Sequence, residues 1–534
     1  MGMAHIHSRA LQGLHTPSVD VEVDLANGLP SFTLVGLADT EVKEARERVR
    51  AAIVNSGLTF PNNQRITVNL APADLRKDSG RFDLAIALGI LAASGQIQRH
   101  DWGEWTFAAE LSLSGQLRPV GGALATALAM ASEADGRALV LAHDNAMEAA
   151  RVPNVRIAGA SHLLDVVAHL CEPADRPQAA RASAIDAQPS GWSWPSPPPF
   201  QSQAHSIRLD EVRGQDSAKR ALTIAAAGGH SVLLVGPPGS GKSMLAHRFV
   251  TLLPPLNPSQ ALHSAAIQSL MGAFDANRWG QRPMVSPHHS ASAAALIGGG
   301  SPPRPGAITQ AHHGVLFLDE LPEFNRTALE ALREPLETGT IHISRASNHA
   351  EFPAQFQLIA AMNPCPCGYW GHAQRACRCT PDQVARYQSR ISGPLLDRID
   401  LQIEITAIDT AALIQRPDGP EGPTPAPQPT GPTAPHASSE TDQAQAALDL
   451  ALARQGCRNQ ELQGDALLRH AQLGPTTVEF VEHAAQQMQW SSRRVHRIIR
   501  VARTIADLAG ESAVERRHIS EAMQYQRALL NARH

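Results

Sequence analysis

Residues 231–243 read Ser231-Val-Leu-Leu-Val-Gly-Pro-Pro-Gly-Ser-Gly-Lys-Ser243, and this stretch decides the fold. The apolar run has the length of a buried strand. The loop Gly236, Pro237, Pro238, Gly239, Ser240, Gly241, Lys242, Ser243 fits G-x-x-x-x-G-K-S, and MLAHRFVTLL after it has helical spacing. Strand, loop and helix in that order predict a phosphate-binding loop for ATP. Its glycines let backbone N–H groups wrap the phosphates, Lys242 reaches the β- and γ-phosphates, and Ser243 holds a magnesium ion.

Further along the chain, Gly314-Val-Leu-Phe-Leu ends in Asp319-Glu320. Asp319 is expected in the magnesium shell and Glu320 on the attacking water, because phosphoryl transfer depends on positioning and charge stabilisation. The plainer alternative is an acidic pair opening a helix. A third run, Phe356 to Met362, presents Asn363, placed either to orient the water and sense the γ-phosphate or merely to make an Asn-Pro turn. In Leu395-Leu-Asp-Arg398-Ile-Asp-Leu401, Arg398 is a candidate to stabilise phosphate charge in a neighbouring subunit; otherwise it pairs within the chain with Asp397 or Asp400. Short Val-, Leu- and Ile-rich runs that each end in a polar motif predict a parallel α/β sheet with function at its carboxyl ends.

With 534 residues, the chain has room for three or four domains at about 150 residues each. Two segments break its periodicity, Glu172 to Gln203 (Pro, Ala and Ser) and Arg416 to Ser439 (Pro). They divide it into a first block, 1–170; a linker, 171–204; a core, 205–408; a Pro-rich insertion, 409–439; and a helical block, 440–534. In the last, Ser491 to Gly510 carries the apolar stripe Val495, Ile498, Ile499, Ala502 and Ile505. Arg493, Arg497, Arg500 and Arg503 share a broad face of the same helix, which as a bare pattern is a solvated basic stripe.

Lys plus Arg number 46 against 50 Asp plus Glu, so any nucleic-acid contact must come from a local patch. The N-terminal stretch lacks the apolar core of a signal peptide and the longest apolar runs are too short to span a bilayer, so a cytoplasmic protein with no membrane partner is expected. Cys365, Cys367, Cys377 and Cys379 cluster in the loop 363–380. In a reducing compartment they suggest a closed tetrahedral zinc site rather than disulfides, with His372 as a substitute ligand. The alternative is four reduced thiols in a loop. Most of the 24 histidines lie in no ligand-like spacing.

SPHHSASAAALIGGGSPPRPG (286–306), GVLFLDELPEF (314–324), AAMNPCPCGY (360–369), ISGPLLDRIDL (391–401) and RVARTIADLAG (500–510) stand in order along the chain. With them the sequence resembles the ComM and magnesium chelatase-like family of AAA+ ATPases over nearly its whole length. That resemblance implies an AAA+ core with a parallel sheet and a C-terminal helical lid. It also implies a Lon protease-like α+β first block (ribosomal S5 domain 2-like). The lid's second sensor arginine falls on Arg493, with Arg494 leaving the position open by one residue. Family members are held to form hexameric rings that drive branch migration on single-stranded and branched DNA during recombination and natural transformation, with recombination proteins as partners. Ring-pore contacts are then sought in the insert Ser286 to Pro305 and a hairpin Thr340 to Phe352, at His288, His289, Arg345 and His349. In the first block Arg81 stands where a Lon-type peptidase places its serine and Leu124 where it places its lysine. Ser79 nearby has no partner base, so this block is expected to be a catalytically silent scaffold. A chelatase-type motor acting on a metal-inserting protein, and an ATP-dependent protease or unfoldase, are the competing readings.

Overall fold

The computed structural model describes residues 2–36, 40–75, 77, 80–98, 101–171, 176–180, 191–197, 199–202, 208–300, 303–345, 348–372, 375–406 and 439–526. Ser79 and all but the last residue of the Pro-rich insertion lie outside them, as do the side chains of residues 344–349, and so those of Arg345 and His349.

A five-stranded sheet organises the core. Its spatial order is Met284–Val285, Val315–Leu318, Gln357–Met362, Val232–Val235, Leu401–Glu404, and every neighbouring pair is parallel. The three central strands are the runs legible in the sequence, and each is buried along its whole length. Alternate side chains serve two cores because successive Cβ atoms point to opposite faces. Val232, Leu234, Phe317 and Ile359 meet the C-terminal helices on one face, while Leu233, Leu316, Leu318 and Ala360 meet Ile341, Ile343 and Phe352 on the other. The chain leaves Val232–Val235 and later returns on both sides of it, with Gln357–Met362 and Leu401–Glu404. The carboxyl end of that strand is therefore the point where open α/β sheets bind ligands.

The first block holds a seven-stranded mixed sheet in the order Ser31–Val35, Arg65–Ala71, Ser18–Ala26, Gly2–Arg9, Trp105–Ala108, Ala138–Ala142, Arg156–Ala160. Helix Ala123–Ser132 of this block packs on helix Pro258–Leu270 of the core. Ala123, Leu124, Ala127, Met130, Leu262, Ala265 and Ala266 share one buried cluster, and the Gly122 N–H reaches Ser269 O at 3.3 Å. Small residues on both helices allow that close approach.

The segment expected as a linker is bound at two places. Trp192 stacks on His169 with ring centroids 3.9 Å apart and Ser193 bridges to Gly159, while Phe200 meets Trp279 edge-on at 5.1 Å. The aromatic residues among its prolines supply these anchors. The expected hairpin forms as Thr340–Arg345 paired with Asn348–Pro353. The insert before it holds the helix Ala293–Ile297 and a short ladder, Gly298–Gly299 with Arg304–Pro305.

Helices Glu440–Gln455, Gly464–Ala471, Pro475–Gln487, Ser492–Leu508 and Arg516–Gln524 complete the chain. Ser491 caps the fourth through its hydroxyl, and Ile498, Ile499, Ala502 and Ile505 are buried as the stripe predicts. Two arginines of the basic stripe, Arg497 and Arg503, are buried where the bare pattern gives a solvated face, while Arg493 stays exposed. Arg497 is buried against Ile399 O at 2.8 Å and Asp397 at 3.2 Å, and fully buried Arg503 pairs with Asp507 at 2.9 Å. Each guanidinium has several donors in a fixed fork, so it serves as an internal brace for loop carbonyls. Among the described residues no helix is long and apolar enough to cross a membrane.

Candidate nucleotide-binding site

Gly241, at φ +88°, precedes helix Lys242–Phe249 in a conformation that favours glycine, and a Cβ on Gly236 would lie 2.4 Å from Ile405 O. The loop can therefore close tightly over the sheet. Lys242 Nζ donates to Gly236 O (2.7 Å), Pro237 O (2.8 Å) and Asn363 Oδ1 (3.2 Å), and Ser243 Oγ donates to Asp319 Oδ2 at 2.6 Å. Burial draws the Lys242 ammonium below its ordinary range, with Asp319 and Glu320 opposing that shift. Four of the sequence-derived residues thus converge from three adjacent strand ends. The cationic Nζ is held over the loop, and a hydroxyl and a carboxylate stand side by side in the hard-oxygen chemistry that suits magnesium.

Glu320 sits in the left-handed region at φ +53°. Its carboxylate Oε2 lies 3.1 Å from His289 Nδ1, and the rings of His288 and His289 lie tilted with centroids 4.1 Å apart. The insert histidine proposed for DNA is therefore seated on an acid of the nucleotide site, a contact that no sequence spacing announces.

Arg398 and Arg493 lie elsewhere. Both line a cavity of about 920 Å³ together with Arg458 and Arg500, and no residue of the phosphate loop, nor Asp319, Glu320 or Asn363, lines it. Arg493 thus lines a hollow apart from the phosphate loop of its own chain. Arg398 does pair within the chain, with Glu337 rather than Asp397 or Asp400, and its other arm donates to Pro394 O at 2.6 Å. Asp397 is taken by Arg497, and buried Asp400 stands 3.4 Å from His230.

The four cysteines do meet. The sulfurs of Cys365, Cys367 and Cys377 lie 3.4, 3.7 and 3.5 Å apart in pairs, and Cys379 joins them within 4.8 Å. Burial opposes charge on Cys367, yet the N–H groups of Arg378 and Tyr369 bring its thiol down to about 6. His372 stands outside this group, its Nδ1 accepting the Arg375 N–H at 3.1 Å. A second convergence, His263 with the adjacent pair His312 and His313, escaped the sequence because His263 comes from a distant segment. His312 Nδ1 accepts the Gln355 N–H at 3.1 Å, which fixes the proton on its other nitrogen, and the guanidinium groups of Arg282 and Arg458 face His313. Both features disfavour a cation there.

In the first block, buried Arg81 donates to Gly121 O at 2.6 Å and Arg9 O at 3.2 Å, and Leu124 is fully buried in the seam with the core. The Lys77 ammonium is turned onto Pro72 O.

Three family models cover most of the chain: "Subunit ChlI of Mg-chelatase" over residues 21–145, "Magnesium chelatase, subunit ChlI" over 208–413 and "Magnesium chelatase, subunit ChlI C-terminal" over 436–526. Competence protein ComM of Haemophilus influenzae is 43% identical over 529 residues, 98% of this chain and 97% of its own. Protein YifB of Salmonella typhimurium is 42% identical over 532 residues, 98% of this chain and 97% of its own. The magnesium-chelatase 67 kDa subunit of Chlorobaculum parvum is 28% identical over 163 residues, 30% of this chain and 23% of its own. The parallel sheet with its phosphate loop and the full-length likeness agree: the chain belongs to the ComM and magnesium chelatase-like family of AAA+ proteins.

Proposed function

We propose that the protein is an ATP-hydrolysing ring motor, a hexamer by analogy, that moves DNA branch points during recombination of incoming strands. The observation that carries the ATPase half is the convergence of Lys242, Ser243, Asp319 and Asn363 at the carboxyl ends of adjacent parallel strands. Lys242 would hold the β- and γ-phosphates, Ser243 and Asp319 the magnesium shell, Glu320 the attacking water and Asn363 its orientation. When bound, magnesium supplies charge neutralisation for the phosphates. Arg398 and Arg493 share a cavity away from their own loop, which supports a role for both toward a neighbouring subunit's phosphate. Such a role makes sense only in an oligomer.

The DNA half rests on likeness over 98% of the chain to a competence protein, competence being uptake of DNA. Its test is conversion of a mobile four-strand junction with ATP, comparing wild type with Glu320→Gln. Equal conversion by both, or none by an active ATPase at low salt, ends the branch-migration reading. A chelatase-type motor acting on a metal-inserting protein is the second reading, favoured by the chelatase family models. Stimulation of the ATPase by such a protein and not by single-stranded DNA would select it. The first block is assigned a Lon protease-like scaffold role without peptidase chemistry, supported by buried Arg81 and Leu124 where a serine and a lysine would be needed.

A further inference from the structure

We propose that Cys365, Cys367, Cys377 and Cys379 hold one zinc ion and that this metal knuckle clamps the phosphate loop, so that nucleotide affinity depends on metal occupancy. The clamp rests on the reading of Gly236–Ser243 as an ATP site.

The sulfur geometry argues for the metal. A tetrahedron of thiolates about 2.3 Å from zinc has edges of about 3.8 Å, and the three resolved sulfur pairs lie at 3.4 to 3.7 Å without any disulfide. Backbone amides point at the sulfurs, with Trp370 N–H 3.3 Å from Cys365 Sγ and Cys379 N–H 3.4 Å from Cys377 Sγ. Among the described residues no helix or strand lies between Met362 and Pro381, so a shared ion is the natural tie for this segment.

The same turn touches the phosphate loop at two points. Gly368 closes it, donating to Cys365 O at 3.0 Å, and its α-carbon is pressed so closely on the Pro238 ring that a Cβ would lie 2.5 Å from Pro238 Cδ. At its start, Asn363 accepts from the Lys242 ammonium. Between these points Gln388 Nε2 pins Pro364 O at 3.0 Å. Metal at the sulfurs thus fixes the turn that buttresses Pro238, and loss of metal returns conformational freedom to the wall of the nucleotide site.

The test uses the whole chain, purified without chelator. Metal analysis should find about one zinc per chain. A fluorescent ATP analogue should bind at least about tenfold more weakly after zinc is removed, and recover when zinc is restored. Cys377→Ser should show both losses. Gly368→Ala separates the two halves of the claim: it should keep zinc, since all four sulfurs stay, but weaken the analogue, because the added Cβ strains the turn at φ +84° and meets Pro238. Absence of zinc overturns the metal site. Zinc present with analogue affinity unchanged by its removal and by Gly368→Ala overturns the clamp alone. Zinc-loaded wild type that binds no analogue overturns the ATP reading on which the clamp rests.

Discussion

His289 Nδ1 stands 3.1 Å from Glu320 Oε2, joining the insert of residues 286–305 to the carboxylate proposed for the attacking water. Both side chains are partly exposed, so the pair contributes at most about 1 kcal/mol, a bias on which way Glu320 faces and not a lock. His289→Ala should raise ATP turnover in the absence of DNA by about two- to fivefold and shrink any stimulation by DNA. Steady-state ATPase assays with and without single-stranded DNA check this, and an unchanged basal rate argues against a latch.

Lys242→Ala should abolish binding of ATP, since it removes the cation held over the loop. Glu320→Gln should bind ATP while slowing turnover by about 10²–10³, the usual loss when one preorganised group is removed. Equilibrium binding and single-turnover hydrolysis, measured on both variants, separate the two effects.

Arg398→Ala should spare nucleotide binding and lose turnover. Mixed with Lys242→Ala subunits it should recover part of the activity, because one subunit keeps the phosphate loop and the other keeps the arginine. If no mixture recovers while assembly is intact, Arg398 is confined to its pair with Glu337.

Asp507 receives Arg503 at 2.9 Å and Asn459 at 2.7 Å and also pairs with Arg454. Asp507→Ala leaves two guanidinium groups without their anion and should cost about 3–5 kcal/mol. Denaturant unfolding followed by circular dichroism should register it, and a loss below about 1 kcal/mol would mean that water replaces the carboxylate.

DNA affinity in a nearly neutral chain must come from local phosphate contacts. It should fall steeply with added salt and show little sequence preference. Arg345→Glu should weaken DNA binding more than basal hydrolysis, read by fluorescence anisotropy beside ATPase rates.

What the sequence disclosed was local in origin. Val232–Val235, Val315–Leu318 and Gln357–Met362 are each a short buried strand with its motif at its own end, so apolar runs and polar ends could be read together. The Cys365–Cys379 group was legible for the same reason. What stayed hidden depends on pairs of segments far apart in the chain: His289 with Glu320, His263 with His312, Arg497 with Asp397. Arg497 and Arg503 look like surface residues by type, and their burial is explained by the carbonyls and carboxylates that meet them, Ile399 O with Asp397 and Ser512 O with Asp507.

The seam between helices Ala123–Ser132 and Pro258–Leu270 carries a consequence for inheritance. Ala127 of the first block and Ala265 of the core belong to one buried cluster, so an added methyl on either crowds packing that both blocks share. The two blocks therefore cannot drift independently or be exchanged freely between relatives. A graft of the ATPase core onto a foreign first block would have to bring this helix pair with it.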